Sequence, residues 1–295
     1  MTLLLLACAE PLSNDIFYED AAFLEALPHS EDFALAYPGE PVVGPETATY
    51  LGVTLEALDG FRLWMGLLGT ATDTVRAVPP STRDEDFRIW GPGVWDSFPG
   101  SFLRLEMSRT STHELYVYGF QASESSQGSW SEFLTGTWAP EGESPRGRID
   151  WSQDDLSEAI GVSGSGELDL EFDVDSELGV SASLYTRRLR LSAAASPDTA
   201  RHELQIDPEG LGRYLVEVRM DVNAGALQPV LDDVSIETLW NAEGYGRSAA
   251  TVEGGDYPYP GIVLWQCWDP DGTLTWEADS EGYLTERGSE DACGL

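Results

Sequence analysis

The apolar positions of this chain fall into two regimes, and the change of period between them sets the expected architecture. Over residues 46–78, Leu51, Leu55, Leu58, Phe61, Met65, Leu68, Val75 and Val78 recur at three- and four-residue spacing, which predicts one long helix with a single buried stripe. Gly60, Gly66 and Gly69 weaken it, and Pro79-Pro80 ends it, because each proline disfavours helical backbone in the residue before it. After Trp90 the period becomes two. In 102–109, Leu103, Leu105 and Met107 share one face and Arg104, Glu106 and Ser108 the other, the pattern of a half-buried strand. Residues 167–175 alternate in the same way, and further strands are expected over 115–120, 130–138, 148–151, 180–191, 202–206, 214–222, 234–240, 248–252, 262–268 and 273–276. Asp207-Pro208-Glu209-Gly210 and Asp269-Pro270-Asp271-Gly272 are tight-turn sequences. The reading is mainly β: an antiparallel up-and-down barrel or half-barrel of about 10–12 strands, too many to stay flat, with one long N-terminal helix over an open face or mouth. A β-sandwich is the alternative.

Register follows from the same alternation. Placing the apolar residues of 167–175 and 180–191 on one face sets Leu170 against Leu184 and Phe172 against Ala182. The other face then carries Glu167, Asp169, Glu171, Asp173 and Asp175, of which only Glu167 meets a cation, Arg187, across the hairpin. Burying unpaired carboxylates costs several kcal/mol each, so this acidic face is expected in water.

The N-terminal residues read differently. Leu5-Leu6-Ala7-Cys8 looks like a bacterial lipobox, the site at which a diacylglycerol is attached to cysteine, and a proline-punctuated segment follows it. The expected organisation is a signal-peptide remnant over 1–7, a lipidated tether over 8–45 with one short helical turn at 20–27, and a single helix-plus-antiparallel-β domain over 46–295. Four leucines fall short of a full leader, which places the expected start upstream. Ala9, where an Asp would signal inner-membrane retention, directs the expected lipoprotein to the outer membrane of the cell envelope. Cys267 and Cys293 remain as a pair for an oxidising compartment. Joining them closes a loop of about 26 residues, for which chain entropy gives roughly 3.5 kcal/mol.

Charge removes whole classes of function. The chain of 295 residues has 52 acids against 16 Lys plus Arg, a formal net charge of -36, and no lysine. Without lysine there is no P-loop cradle, no Schiff-base chemistry and no Ser-x-x-Lys site. A surface this acidic repels phosphate backbones, so nucleic acid is not an expected partner. The membrane is expected to be reached through the lipid anchor alone.

Candidate chemistry is sparse. His29, His113 and His202 are far apart, neither His113-Glu114 nor His202-Glu203 completes His-Glu-x-x-His, and no metal site or cofactor is expected. Gly161-Val162-Ser163-Gly164-Ser165 nearly matches a hydrolase elbow but ends in Ser. Asp269 to Gly272 lacks the later ligands of a calcium loop. Asp154-Asp155 and Asp232-Asp233 would serve as glycosidase acids only at a separation that folding decides. Arg247, in Gly244-Tyr245-Gly246-Arg247, is a weak candidate for holding a carboxylate, with a β-bulge and internal ion pair as the competing reading. No catalytic residue is expected.

The chain also resembles a family. Residues 20–28 (Asp-Ala-Ala-Phe-Leu-Glu-Ala-Leu-Pro), Pro79-Pro80-Ser81-Thr82-Arg83, Trp90-Gly91-Pro92, Trp240, Gly244 to Arg247, Gly254-Gly255-Asp256, Cys267-Trp268-Asp269 and Ala292-Cys293 are similar to uncharacterised lipoproteins of GC-rich, myxobacterial-type Gram-negative bacteria. Thr238-Leu239 stand where that pattern has Ser-Arg, so no role for that arginine carries over. The resemblance implies no activity. Fold-level analogy favours a non-enzymatic binding or carrier module for an apolar ligand; the alternative is a structural or interaction protein of the envelope, with a hydrolase third.

Overall fold

The computed structural model describes residues 15–27, 37, 47–76, 78–95, 98–110, 112, 115–139, 146–175, 179–190, 198–220, 230–255 and 257–295. Helices α1 (Asp15–Glu25) and α2 (Thr49–Arg76) precede fifteen strands: β1 (Pro80–Asp84), β2 (Phe87–Val94), β3 (Phe102–Arg109), β4 (Tyr116–Ser123), β5 (Ser131–Ala139), β6 (Arg146–Ser152), β7 (Ser165–Asp175) and β8 (Gly179–Arg190). The rest are β9 (Asp198–Ile206), β10 (Gly212–Met220), β11 (Asp232–Trp240), β12 (Gly246–Glu253), β13 (Ile262–Trp268), β14 (Leu274–Asp279) and β15 (Arg287–Gly288). Helix α3 (Gln153–Ile160) separates β6 from β7. All strands pair antiparallel in chain order, giving one open sheet.

Three expectations change. Among the described residues there are fifteen strands rather than 10–12, because β1 is an edge strand with a single buried residue, β2 shifts register between Trp90 and Gly93, and β15 has two residues; none shows a clean alternation. The strands form one sheet, not the two of a sandwich. The single N-terminal helix is instead two, since the short helical turn expected at 20–27 within the tether is an eleven-residue helix, α1. Its Phe23, and Leu27 just beyond its end, are fully buried, with Phe23 edge-on to Tyr116 at 5.5 Å. Around them Asp20 pairs with Arg83 and Arg88 at 2.9 Å, and the Arg88 and Arg109 guanidinium groups lie 4.9 and 5.0 Å from the Phe23 ring centre. In α2, Leu51 and Leu58 of the expected stripe are buried; the side chains of Phe61, Met65 and Leu68 lie outside the described residues.

The sheet bows toward α2, and distances show why. The start of α2 contacts β11 and β13 through Thr54 and Tyr50, and Thr74 near its end lies against Gly93 of β2. From Thr54 to Thr74 a straight helix spans about 30 Å. The nine strand steps from β2 to β11 span about 43 Å in a flat sheet. The chord is shorter than the arc, so the apolar face is concave and the open sheet fits the half-barrel class.

Glycines fit large rings into that face. On neighbouring strands Tyr118 stands opposite Gly136, Trp138 and Phe172 opposite Gly147, Trp240 opposite Gly212, and Trp268 opposite Gly246. A Cβ at Gly136 would sit 2.3 Å from the Tyr118 ring, and at Gly246 2.3 Å from Trp268. Each glycine is the slot in which the facing ring lies, and this close approach explains glycine in strands where it otherwise weakens pairing.

The predicted register of β7 and β8 is the one found. Glu167, Asp169, Glu171 and Asp173 lie on the convex face, where β6 supplies a cation that the hairpin alone could not reveal: Arg148 pairs with Asp150 at 2.7 Å and Glu171 at 3.4 Å, while Arg187 of β8 bridges Asp169 as well as the expected Glu167. At the C-terminus Cys267 and Cys293 stand at disulfide distance, with Cα atoms 5.1 Å apart. They hold a 3-10 turn, Glu290–Cys293, against Trp276 on the convex face.

Candidate functional site

The concave face is the candidate site, and its chemistry is set by what lines it and what covers it. Inward positions of β2 to β13 are apolar and aromatic, including Trp90, Leu105, Phe120, Leu170, Leu204, Tyr214, Ile236 and Trp268, each with no more than 3% of its surface exposed. Helix α2 contacts β2, β3, β11 and β12 across this face.

The seam under the start of α2 is polar. Thr54 accepts or donates with Thr238 at 2.8 Å, and Thr238 with Ser248 at 2.6 Å; all three side chains are fully buried. The Thr54 hydroxyl also donates to the Tyr50 carbonyl at 2.9 Å, and the Tyr50 N–H donates to the Gln266 side-chain oxygen at 3.1 Å. Such hydrogen bonds contribute about 1 kcal/mol each, because water replaces them on exposure, whereas a buried leucine in the same place would contribute about 1.5–3 kcal/mol. Thr238 and Ser248 occupy core-phase positions of strands that otherwise alternate cleanly. Hydroxyls in that phase are the sequence signal by which this seam could have been recognised.

Beside the seam, Tyr37 donates to the Gly244 carbonyl at 2.8 Å and accepts from the Trp268 indole at 2.6 Å. Burial pushes its hydroxyl up to about 12, against a smaller downward pull from the indole. Burial likewise raises the Tyr118 hydroxyl, helped by the charge of Asp150. Among the described residues five buried polar atoms find no hydrogen-bond partner: the indole nitrogens of Trp90, Trp95 and Trp240, the hydroxyl of Tyr118 and, on β7, one carboxylate oxygen of Asp173. An unsatisfied buried donor costs about 1–3 kcal/mol.

The convex face is also indented. A trough of about 1210 Å³ crosses β5 to β10 and is lined by Arg146, Arg148, Arg213, Glu171, Asp173 and Glu203 among others. Several of these charges are already satisfied within the sheet, as in Arg213 with Glu237 at 2.7 Å, and exposed pairs of this kind contribute at most about 1 kcal/mol. The trough is a solvated charge ladder. Within the ladder Asp150 and Asp169 face each other. Partial burial and the hydrogen bond that protonated Asp169 donates to Asp150 raise the Asp169 carboxyl, while for Asp150 partial burial is outweighed by hydrogen bonds from Arg148 and Asp169 and by the charges of Arg148 and Arg187, which leave it low.

Cys8, His29 and His113 lie outside the described residues. Arg247 projects from β12 on the convex face, 3.3 Å from Glu290 and 5.7 Å from the Trp276 ring centre, so the internal ion pair is present. Gly161 caps α3 with a left-handed backbone, and the Ser152 hydroxyl caps its start. Asp154 accepts from the Gly166 N–H at 3.0 Å and Asp232 from Tyr257 at 3.1 Å, while Asp233 pairs with Arg219 at 2.9 Å. Asp269 closes the β13–β14 turn by accepting from the Asp271 and Thr273 N–H groups. His202 bonds Tyr214 through Nδ1. Among the described residues no group of three or more His, Cys, Asp or Glu is placed to hold a metal ion, and no helix is long and apolar enough to cross a membrane. No family model, curated protein or solved structure matches the chain.

Proposed function

We propose that this protein is a non-enzymatic binding module for an apolar ligand, anchored to the outer membrane through a lipid on Cys8, with α2 as a displaceable cover over the concave face. The observation that carries this reading is the buried hydroxyl seam of Thr54, Thr238 and Ser248, which lets the start of α2 lift at small cost while the aromatic face beneath it gains by covering a ligand. A second reading, an interaction protein of the envelope, is favoured by Tyr259 and Tyr283, exposed with ring centres 4.5 Å apart on neighbouring turns. Native mass spectrometry of the chain purified from membranes tests the first reading. The expected spectrum carries a covalent lipid mass on Cys8 and a separable non-covalent apolar molecule. A chain that never carries or takes up such a molecule contradicts the binding module, and one without the covalent mass contradicts the anchor.

A further inference from the structure

We infer that the ligand of the covered face is a neutral acyl ester, an apolar body with hydrogen-bond acceptors, rather than a bare hydrocarbon or a fatty-acid anion; this rests on the reading of that face as a binding site. Trp90 and Trp240 are at most 1% exposed, stand on β2 and β11, which α2 contacts at opposite sides of the face, and have unpartnered indole nitrogens. Trp95, just beyond β2 and stacked on Phe133 at 5.3 Å, also has an unpartnered indole nitrogen. An indole N–H can only donate, so these positions call for an acceptor, and pure hydrocarbon offers none. The Tyr118 hydroxyl is a fourth such group, held inward by its ring lying over Gly136. A net charge of -36 opposes a free carboxylate, and Arg88, a buried cation near Trp90, is already held by Asp20 at 2.9 Å and Glu19 at 3.0 Å. Ester carbonyls supply acceptors without charge. Because the donors are unmatched when the face is closed and matched when an ester fills it, the ligand favours the open, filled state by differential affinity.

Binding of methyl palmitate, hexadecane and palmitate to the full chain, read by tryptophan fluorescence, tests the assignment. The ester is expected to bind about tenfold more tightly than the alkane, equivalent to one indole hydrogen bond. Trp90→Phe and Trp240→Phe are expected to reduce that preference, read as the ratio of ester to alkane affinity in the same variant, to about twofold. Tyr118→Phe removes one unpartnered oxygen and preserves the ring, so it provides a variant whose folding is not in question, with a smaller loss in the same direction. Equal affinity for ester and alkane, tightest binding of palmitate, or a preference that survives all three substitutions overturns the ester assignment and leaves the binding module standing. Failure of all three probes to bind overturns the binding module itself.

Discussion

At the residue scale the protein separates its polar chemistry by face. On the inner face the Thr54, Thr238 and Ser248 hydroxyls are buried and bonded to one another, whereas outward carboxylates share arginines along the strands. Asp150 and Asp169 show what crowding does on the outer face. Asp169 has its proton affinity raised in the folded state, so its contribution to stability is present below the ordinary Asp range and lost as pH rises through the folded value. Asp150 is lowered, so its contribution is present above the ordinary range and lost as pH falls through its folded value. A carboxyl NMR titration is expected to protonate Asp169 at higher pH than Asp150, and Asp169→Asn to remove the upper step. The reverse order of protonation contradicts the assignment.

At the element scale, strands hold aromatic rings by leaving out the facing side chain. Gly212 is the tightest slot, since a Cβ there would lie 1.8 Å from the Trp240 ring. Gly212→Ala forces a buried indole, strand β10 or both to move, and overpacking of this kind costs about 1–3 kcal/mol. The expected result in denaturant melts is a loss of at least about 2 kcal/mol, with Trp240 emission shifted. A neutral substitution would mean that the ring does not lie over the glycine. Much of this level was legible beforehand. The period-two stretches located twelve of the strands, and the register of β7 with β8 followed from Leu170, Phe172, Leu184 and Ala182. What escaped were segments whose pattern is weak for a physical reason: β1, exposed along an edge; β2, whose register shifts between Trp90 and Gly93; and β15, too short to show a period. Helix α1 was legible only as a turn at 20–27, because its docking relies on one aromatic ring and an arginine cluster contributed by β1 to β3, contacts distant in sequence.

At the scale of the whole molecule, an open sheet curls and places helices on its hollow side, while its edge strands β1 and β15 stay exposed. The expected half-barrel and the paired cysteines were readable from strand count, turn chemistry and compartment. The site was readable only in outline, because polar residues such as Thr238 and Ser248 become a seam only when α2 crosses from β2 to β11, and no local pattern encodes that chord. The most direct test of the cover is to lock it. Thr54→Cys with Thr238→Cys places two thiols where the hydroxyls lie 2.8 Å apart, close enough for a bridge between helix and sheet. The reduced variant is expected to take up the fluorescent apolar probe N-phenylnaphthylamine at the rate of the unsubstituted chain. The oxidised variant is expected to take it up at least about tenfold more slowly, the effect of 1.4 kcal/mol or more on opening. Uptake at an unchanged rate in the oxidised, cross-linked protein would contradict the account.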